Sequence, residues 1–167
     1  TVQSDITAGD GWTPDARVYI VASNVTVGGS ASVNVNARGY LGGWYNNSSD
    51  NSSGYGFGPG AGYNSQGGAG YGGRGDPDGN EGLPYGDLFR GDDPGSGGGV
   101  HTSNSGNGGN GGGNIRIEAT GTVRIDGALT ADGANNNSRG SGGSGGGIFV
   151  QAGTLAGSGA MSADGGD

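Results

Sequence analysis

The chain has 167 residues, of which 46 are glycine and none is cysteine, and its formal net charge at pH 7 is -8. The lack of cysteine excludes a disulfide-stapled domain, and an acidic chain without lysine has no basic surface for nucleic-acid phosphates. We therefore expect no nucleic-acid partner. Because no apolar run approaches the roughly 20 residues of a membrane span, we also expect no membrane insertion.

Large aliphatic side chains are scarce, a composition that overlaps with disordered chains. They are nevertheless gathered into short runs in which apolar and polar residues alternate. The first runs lie in RVYIVASNVTVGGSASVNVNARG (17 to 39), and such alternation predicts short β-strands with one buried face. We assign residues 1–39 to the first coil or coils of a repeat fold. The inward-facing residues are Val18, Ile20, Ala22, Val25, Val27, Val33 and Val35.

Residues 40–111 form a Gly-, Asn- and aromatic-rich insertion in which this alternation fails. The insertion contains nine of the twelve aromatic residues of the chain. One interpretation is a flexible linker or a large disordered loop. The other is an ordered excursion, because glycine-rich runs with a three-residue spacing can adopt polyproline II helices that pack closely while aromatic rings fill the seams.

Residues 112–167 contain one phrase written twice. GGNIRIEATGTVRIDGALTADG (112 to 133) aligns with GGIFVQAGTLAGSGAMSADGG (146 to 166), so that Ile115 corresponds to Ile148, and residues 17 to 39 form an earlier copy with Val18 in the same place. A unit of this length cannot bury its apolar face alone, so the copies must stack. The predicted fold is all-β: a parallel β-helix or β-solenoid with short strands and polyproline II-like excursions. It forms a single module, 1–167, in which residues 112–167 make two stacked coils.

Small and polar residues recur at fixed places in these phrases. Gly127 and Gly159 are expected at corners that need either a positive φ or a close approach of the backbone. Asp132 and Asp164 follow the last strand of each phrase, and we expect them to cap turns.

The phrases resemble the glycine-rich repeats of very large secreted or cell-surface proteins, mainly bacterial and adhesin-like. In those repeats a stretch such as LPYGDLFRGDDPGSGGG (83 to 99) leads into two strand phrases that end in ADGG or a close variant. The resemblance covers Tyr85 to Asp167 and, more loosely, 17 to 43. It implies an extracellular solenoid module and brings no catalytic residues. The middle region is also weakly similar to the Gly-rich ectodomain of anaplastic lymphoma kinase receptors, which contains a polyproline II bundle.

The segment GDPDGNEG (75 to 82) is a candidate calcium site. It places Asp76, Asp78, Asn80 and Glu81 within six residues on a Gly-rich turn, and calcium prefers several oxygen ligands from one flexible loop. The pattern departs from the EF-hand loop in the position of its glycine and in lacking a final glutamate. A solvated acidic turn is the alternative. Asp92 and Asp93 are further candidate ligands.

Five sequons of the Asn-x-Ser/Thr type are candidate glycosylation sites: Asn24, Asn46, Asn47, Asn51 and Asn136. Three of them cluster between 46 and 53 on a predicted loop, where a glycan would shield a sparse core. Chains rich in Asn and Ser also produce sequons by chance, so accidental occurrence remains the alternative.

We expect no enzymatic activity and assign no catalytic residue. Hydrolase or lyase chemistry needs acids that converge with Lys, Arg or His, whereas the single histidine, His101, lies far in sequence from any acid. Arg-Gly-Asp occurs twice, at 74 to 76 and at 90 to 92, as it readily does in a glycine-rich chain.

Two functions follow from these expectations. The first is a structural repeat module or subunit of an extracellular fibre or long surface protein, which assembles end to end with copies of itself. The second is an adhesin-type module at the cell surface that binds glycans through its aromatic and acidic insertion, with calcium as a candidate cofactor.

Overall fold

The computed structural model describes residues 17–44, 54–63, 67–76, 79–87, 89–101, 106–136 and 140–167. The strands in this part of the chain are short, and no helix occurs among these residues, so none is present that could cross a membrane. The strands are β1 (Val18–Ala22), β2 (Val25–Val27), β3 (Ser32–Asn34), β4 (Asn114–Ala119), β5 (Thr122–Ile125), β6 (Ala128–Thr130), β7 (Gly147–Gln151), β8 (Thr154–Ala156) and β9 (Ala160–Ser162).

The strands form three coils of three strands each: coil 1 (β1–β3), coil 2 (β4–β6) and coil 3 (β7–β9). Equivalent strands of the three coils pair in parallel, which gives three sheets in the orders β1-β4-β7, β2-β5-β8 and β3-β6-β9. Val18 pairs with Ile115 and Ile115 with Ile148, the register that the alignment of the sequence phrases predicts. The predicted fold of stacked β-solenoid coils with short parallel strands is therefore confirmed.

The core lies inside the coils and is centred on coil 2. Alternation along each strand turns every second side chain inward, and of the three coils that the structure describes only coil 2 has a coil on both sides. Ile115, Ile117, Val123 and Leu129 are accordingly completely buried. The equivalent residues of coils 1 and 3 pack on them from either side and are mostly half-buried.

The two predicted corner glycines serve close backbone approach rather than a positive φ. A Cβ at Gly127 would lie 2.1 Å from the carbonyl oxygen of Ala31, and one at Gly159 would lie 2.1 Å from that of Gly127. Neither glycine has a positive φ, whereas nearby Gly157 does, at 114°.

Between coil 1 and coil 2 the described part of the insertion forms an ordered bundle of extended, glycine-rich segments. The segment 95–100 lies at its centre and donates its N–H groups to four neighbouring segments, and residues three apart share a neighbour at 95 and 98 and at 97 and 100. This three-residue period, without hydrogen bonds inside the segment, is that of a polyproline II helix. Gly95 and Gly98 donate to Gly112 and Gly109, Gly97 and Val100 donate to Phe57 and Gly54, and Ser96 and Gly99 donate to Ser144 and Gly67.

Candidate functional site: the open end of coil 3

Coil 3 ends the described stack with its apolar interior uncovered. Leu155 and Met161 are 55% and 48% exposed, although the residues that they pair with in coil 2, Val123 and Leu129, are 0% exposed. Exposed aliphatic side chains in the column of a buried core mark a surface that another layer would cover. The sequence alignment already indicated this exposed surface, because the phrase at 146 to 166 is not followed by another copy among these residues that could cover it.

A ladder of acidic and amide side chains runs along the stack and reaches the same end. The Asn36 Oδ1 atom of coil 1 accepts the N–H of Asp132 (2.9 Å), and the Asp132 Oδ1 atom accepts the N–H of Asp164 (3.0 Å). Asp132 also accepts hydrogen bonds from Asn36 Nδ2 (3.1 Å) and from the hydroxyl of Ser162. Asn36 and Asp132 therefore each bind the next coil, and Asp164 repeats this position at the open end.

The opposite end of the ladder is closed locally. In coil 1 the N–H of Asn36 donates to the side chain of Asn34 in the same coil, at 3.0 Å. The equivalent N–H groups in coils 2 and 3 donate to the preceding coil instead. The two ends of the stack are therefore chemically different.

A wall of the insertion stands beside coil 3 and encloses a cavity of about 690 Å³, which we call the end groove. The insertion side of the end groove carries a pair of tyrosines, Tyr71 and Tyr85, whose rings meet edge to face at 5.0 Å. The coil side carries Ile148, Met161 and Ala163.

The two tyrosines are held in their neutral form. Burial, together with the nearby Asp93 carboxylate, raises the pKa of Tyr71 to about 12. Burial also raises the pKa of Tyr85, whose hydroxyl donates to the carbonyl of Pro94 and accepts from Ser96 Oγ at 2.9 Å. These rings form a fixed wall rather than a titrating site at neutral pH.

The outer face of the first sheet attaches the insertion to the coils. Tyr19, Arg116 and Phe149 occupy one column, and the Arg116 guanidinium lies 5.9 Å from the centre of the first ring and 4.4 Å from the second. Arg116 also pairs with Asp92 of the insertion and with Glu118 (2.6 Å). Hydrogen bonds from Arg116 and Tyr19 hold the pKa of Glu118 below its ordinary value.

This attachment engages the second Arg-Gly-Asp tripeptide. The Asp92 carboxylate pairs with Arg116 and lies 3.5 Å from Arg17, so the stack itself uses it. Asp93, the other further candidate for calcium, has its pKa raised by burial and by the charges of Asp92 and Asp87.

The predicted calcium ligands are only partly visible. Asp76, Asn80 and Glu81 lie in the described part of the chain, whereas Asp78 lies outside it. The Glu81 carboxylate forms an ion pair with Arg74 at 3.0 Å. Among the described residues no group of three or more His, Cys, Asp or Glu is placed to hold a metal ion, and the calcium site stays a prediction.

The asparagines of two of the five sequons, Asn24 and Asn136, lie in the described residues. The Asn24 Oδ1 atom accepts the N–H of Thr122 in coil 2 at 2.8 Å, and Asn136 Nδ2 donates to the carbonyl of Asp167 at 3.1 Å. Both side chains therefore help to join successive coils. Asn46, Asn47 and Asn51 lie outside the described residues, and glycosylation at all five positions stays a prediction.

The insertion also presents exposed aromatic rings, those of Trp44, Tyr55 and Tyr63. Tyr55 and Tyr63 stack with their ring centres 5.8 Å apart, and Trp44 stacks on Phe57 at 5.3 Å. A shallow cavity of about 400 Å³ beside Tyr63 is also lined by Arg74, Glu81 and Leu83.

No protein family, no curated protein and no solved structure matches the chain.

Proposed function

We propose that this chain is a structural repeat module or subunit of an extracellular fibre or long cell-surface protein, which lengthens by the addition of further coils to the open end of coil 3. The resemblance of its phrases to repeats of secreted and surface proteins supports the location outside the cell. In this proposal the module has no catalytic role and contributes to a rigid, acidic, glycine-packed rod.

The observation that carries the proposal is the contrast between the last two coils. Val123 and Leu129 are covered on both sides, and Leu155 and Met161, in the same columns, are covered on one. Apolar surface buried by a further coil would stabilise the stack by about 25 cal/mol for each Å² removed from water. The three strand edges of coil 3 would gain partners at the same time.

An extended chain tests this proposal. Residues 136–167 are appended after Asp167, which keeps the phase because Asp167 occupies the position of Asn135 in the preceding coil. We expect the added coil to slow amide hydrogen exchange in β8 and β9 and to raise the midpoint of thermal unfolding. Unchanged exchange in these strands would contradict the proposal.

A charged residue at the open end should block the added coil, and the same charge placed elsewhere is the matched control. Leu155→Glu in the extended chain places a carboxylate between coil 3 and the added coil and should abolish the protection. Val21→Glu introduces the same charge at an exposed position on the outer face of coil 1 and should leave the protection intact.

The exposed aromatic rings of the insertion favour a second candidate, a glycan-binding adhesin module. Tyrosine rings offer a flat apolar face to a sugar, and the Arg74–Glu81 pair beside Tyr63 offers hydrogen bonds to hydroxyl groups. A glycan array with and without calcium tests it. Glycan binding would support this function if Tyr63→Ala abolishes it while Phe89→Ala, at another exposed aromatic position, leaves it unchanged. An array without any bound glycan would exclude it.

A further inference from the structure

A second groove, beside the exit of coil 3, is lined largely by glycines, like the contacts inside the glycine-rich bundle. This cavity of about 430 Å³, which we call the glycine groove, lies between the insertion and the last residues of coil 3. Six of its eleven lining residues are glycines, among them Gly142 and Gly166, and the charged residues Arg74, Asp76 and Asp167 also line it.

The chain itself shows what occupies such grooves. A glycine-rich run precedes coil 2 (107–113) and another precedes coil 3 (140–146). Each run packs against the segment that leaves the preceding coil. The N–H of Gly113 donates to the carbonyl of Val35 at the exit of coil 1, and the N–H of Gly146 donates to the carbonyl of Ala131 at the exit of coil 2, both at 2.8 Å.

The exit of coil 3 offers the same acceptors. Ala163 occupies the position of Ala131, and Gly166 that of Ala134, whose carbonyl accepts the N–H of Gly143. In the part of the chain that the structure describes, no N–H is bonded to the carbonyl of Ala163 or of Gly166. These two acceptors are three residues apart, as are the donors Gly143 and Gly146 that serve coil 2.

From this we infer that the glycine groove binds a glycine-rich polyproline II run that leads into the next solenoid coil, with N–H groups three residues apart donating to Ala163 and Gly166. The run lies antiparallel to residues 163–166, as residues 143–146 lie antiparallel to residues 131–134. Only glycine fits at such contacts: a Cβ at Gly146 would lie 1.8 Å from the carbonyl oxygen of Gly113, and one at Gly142 would lie 1.9 Å from that of Gly166.

This inference rests on the proposed function and specifies which kind of repeat can follow coil 3. The residues before coil 1, GDGWTPDA (9 to 16), contain no Gly-Gly pair. Coil 1 also closes its own ladder through Asn34. The partner of coil 3 is therefore a repeat in which a Gly-Gly-x-Gly-Gly-Gly run precedes the strands, rather than coil 1 of a second copy.

The extended chain tests the inference through two variants. In the first, the four added glycines that correspond to Gly142, Gly143, Gly145 and Gly146 are each changed to Ala. In the second, Gly165→Leu places a side chain in the groove, where a Cβ would meet its nearest neighbour, the carbonyl oxygen of Gly143, at an ordinary 3.8 Å. Gly28→Leu is the control, because a Cβ there meets nothing within 4 Å and Gly28 lies in a turn of coil 1.

We expect the extended chain and its Gly28→Leu variant to slow exchange in β8 and β9 by at least about tenfold, and both groove variants to lose this protection. Protection that survives both groove variants would overturn the glycine-groove inference and leave the proposed function standing. No protection in the extended chain would overturn both. Self-association of the unextended chain that Leu155→Glu abolishes would also overturn the inference, because it would make coil 1 the partner.

Discussion

Asp132 of coil 2 accepts the backbone N–H of Asp164 in coil 3 at 3.0 Å, and Asp164 repeats its position 32 residues later in the chain. The acceptor side chain thus sits in one coil and its donor in the next. A phrase that carries Asn or Asp here joins itself to whatever coil follows, which is how a chain poor in aliphatic side chains holds its coils in register.

Removal of the Asp132 side chain, the middle member of the ladder, should destabilise the stack. Asp132→Ala deletes the acceptor for Asp164, for Ser162 and for Asn36 Nδ2, and we expect a loss of about 2 kcal/mol in the free energy of unfolding. Asp132→Asn keeps one acceptor oxygen and should cost less than half as much. Chemical denaturation measures both.

The terminal rung supplies the comparison. Asp164→Ala removes a side chain whose partner in the described structure is Ser162 of its own coil, so we expect a loss below about 1 kcal/mol. Equal losses for Asp132→Ala and Asp164→Ala would contradict the ladder.

The glycine bundle should tolerate a methyl group at some positions and not at others. A Cβ at Gly111 would lie 1.9 Å from the carbonyl oxygen of Gly95, so Gly111→Ala must displace backbone and should cost about 3 kcal/mol or more. A Cβ at Gly73 meets nothing within 4 Å, so Gly73→Ala should be neutral or stabilise the fold by about 0.4–1 kcal/mol. Thermal unfolding of the two variants decides between a packed bundle and a loose loop, for which both changes would be harmless.

Much of the fold could be predicted from the sequence, because side-chain alternation reports burial directly and repeated phrases report register. The pairing of Val18 with Ile115 and of Ile115 with Ile148 follows from alignment alone. The prediction left the insertion open between a loop and a packed excursion, because glycine has no side chain whose pattern could show which backbone it meets. The two grooves arise only when the insertion folds back beside coil 3, and no local signal marks that contact.

The column of Tyr19, Arg116 and Phe149 on the outer face could have been predicted from the sequence, but it was not. Once the phrases are aligned, Tyr19, Arg116 and Phe149 share one position, and a cation between two aromatic rings is a recognisable stack. The link from Arg116 to Asp92 was not within reach, since it depends on where the insertion returns to the coils.

Arginine at position 116 should not be replaceable by lysine. Its guanidinium stacks on Phe149 and pairs with Asp92 and Glu118, and an ammonium group cannot reproduce that planar, multiply bonded geometry. We expect Arg116→Lys to lower the free energy of unfolding by about 1 kcal/mol. Arg124→Lys, at an exposed position where the guanidinium pairs with Asp126, is the control and should change the free energy of unfolding by less than about 0.5 kcal/mol. Similar effects in the two variants would argue against the stack.

Alkaline pH should destabilise the insertion wall. The folded state raises the pKa of Tyr71 from 10.0 to about 12, chiefly through burial, so it favours the neutral phenol. The stability from this group is fully present below pH 10 and is lost as the pH rises toward 12.

Ultraviolet absorbance of the phenolate, taken as the difference between the chain and its Tyr71→Phe variant, should therefore rise near pH 12. It should rise together with loss of the circular dichroism of the folded state. A difference titration centred on pH 10, with the fold intact, would show that Tyr71 is not buried in the wall.

Phrases far apart in the chain form neighbouring coils in a single stack. Disulfide cross-linking tests this arrangement most directly, because the chain contains no cysteine of its own. Thr26 and Arg124 are paired on the outer face of the second sheet, and Ala156 follows Arg124 in the same column of coil 3. Adjacent strands lie about 4.8 Å apart, within disulfide range, whereas strands two coils apart exceed the limit of about 7 Å. We predict a rapid intramolecular disulfide in the Thr26→Cys, Arg124→Cys variant and none in the Thr26→Cys, Ala156→Cys variant; a disulfide in the second but not the first, or only linked dimers, would contradict the stack.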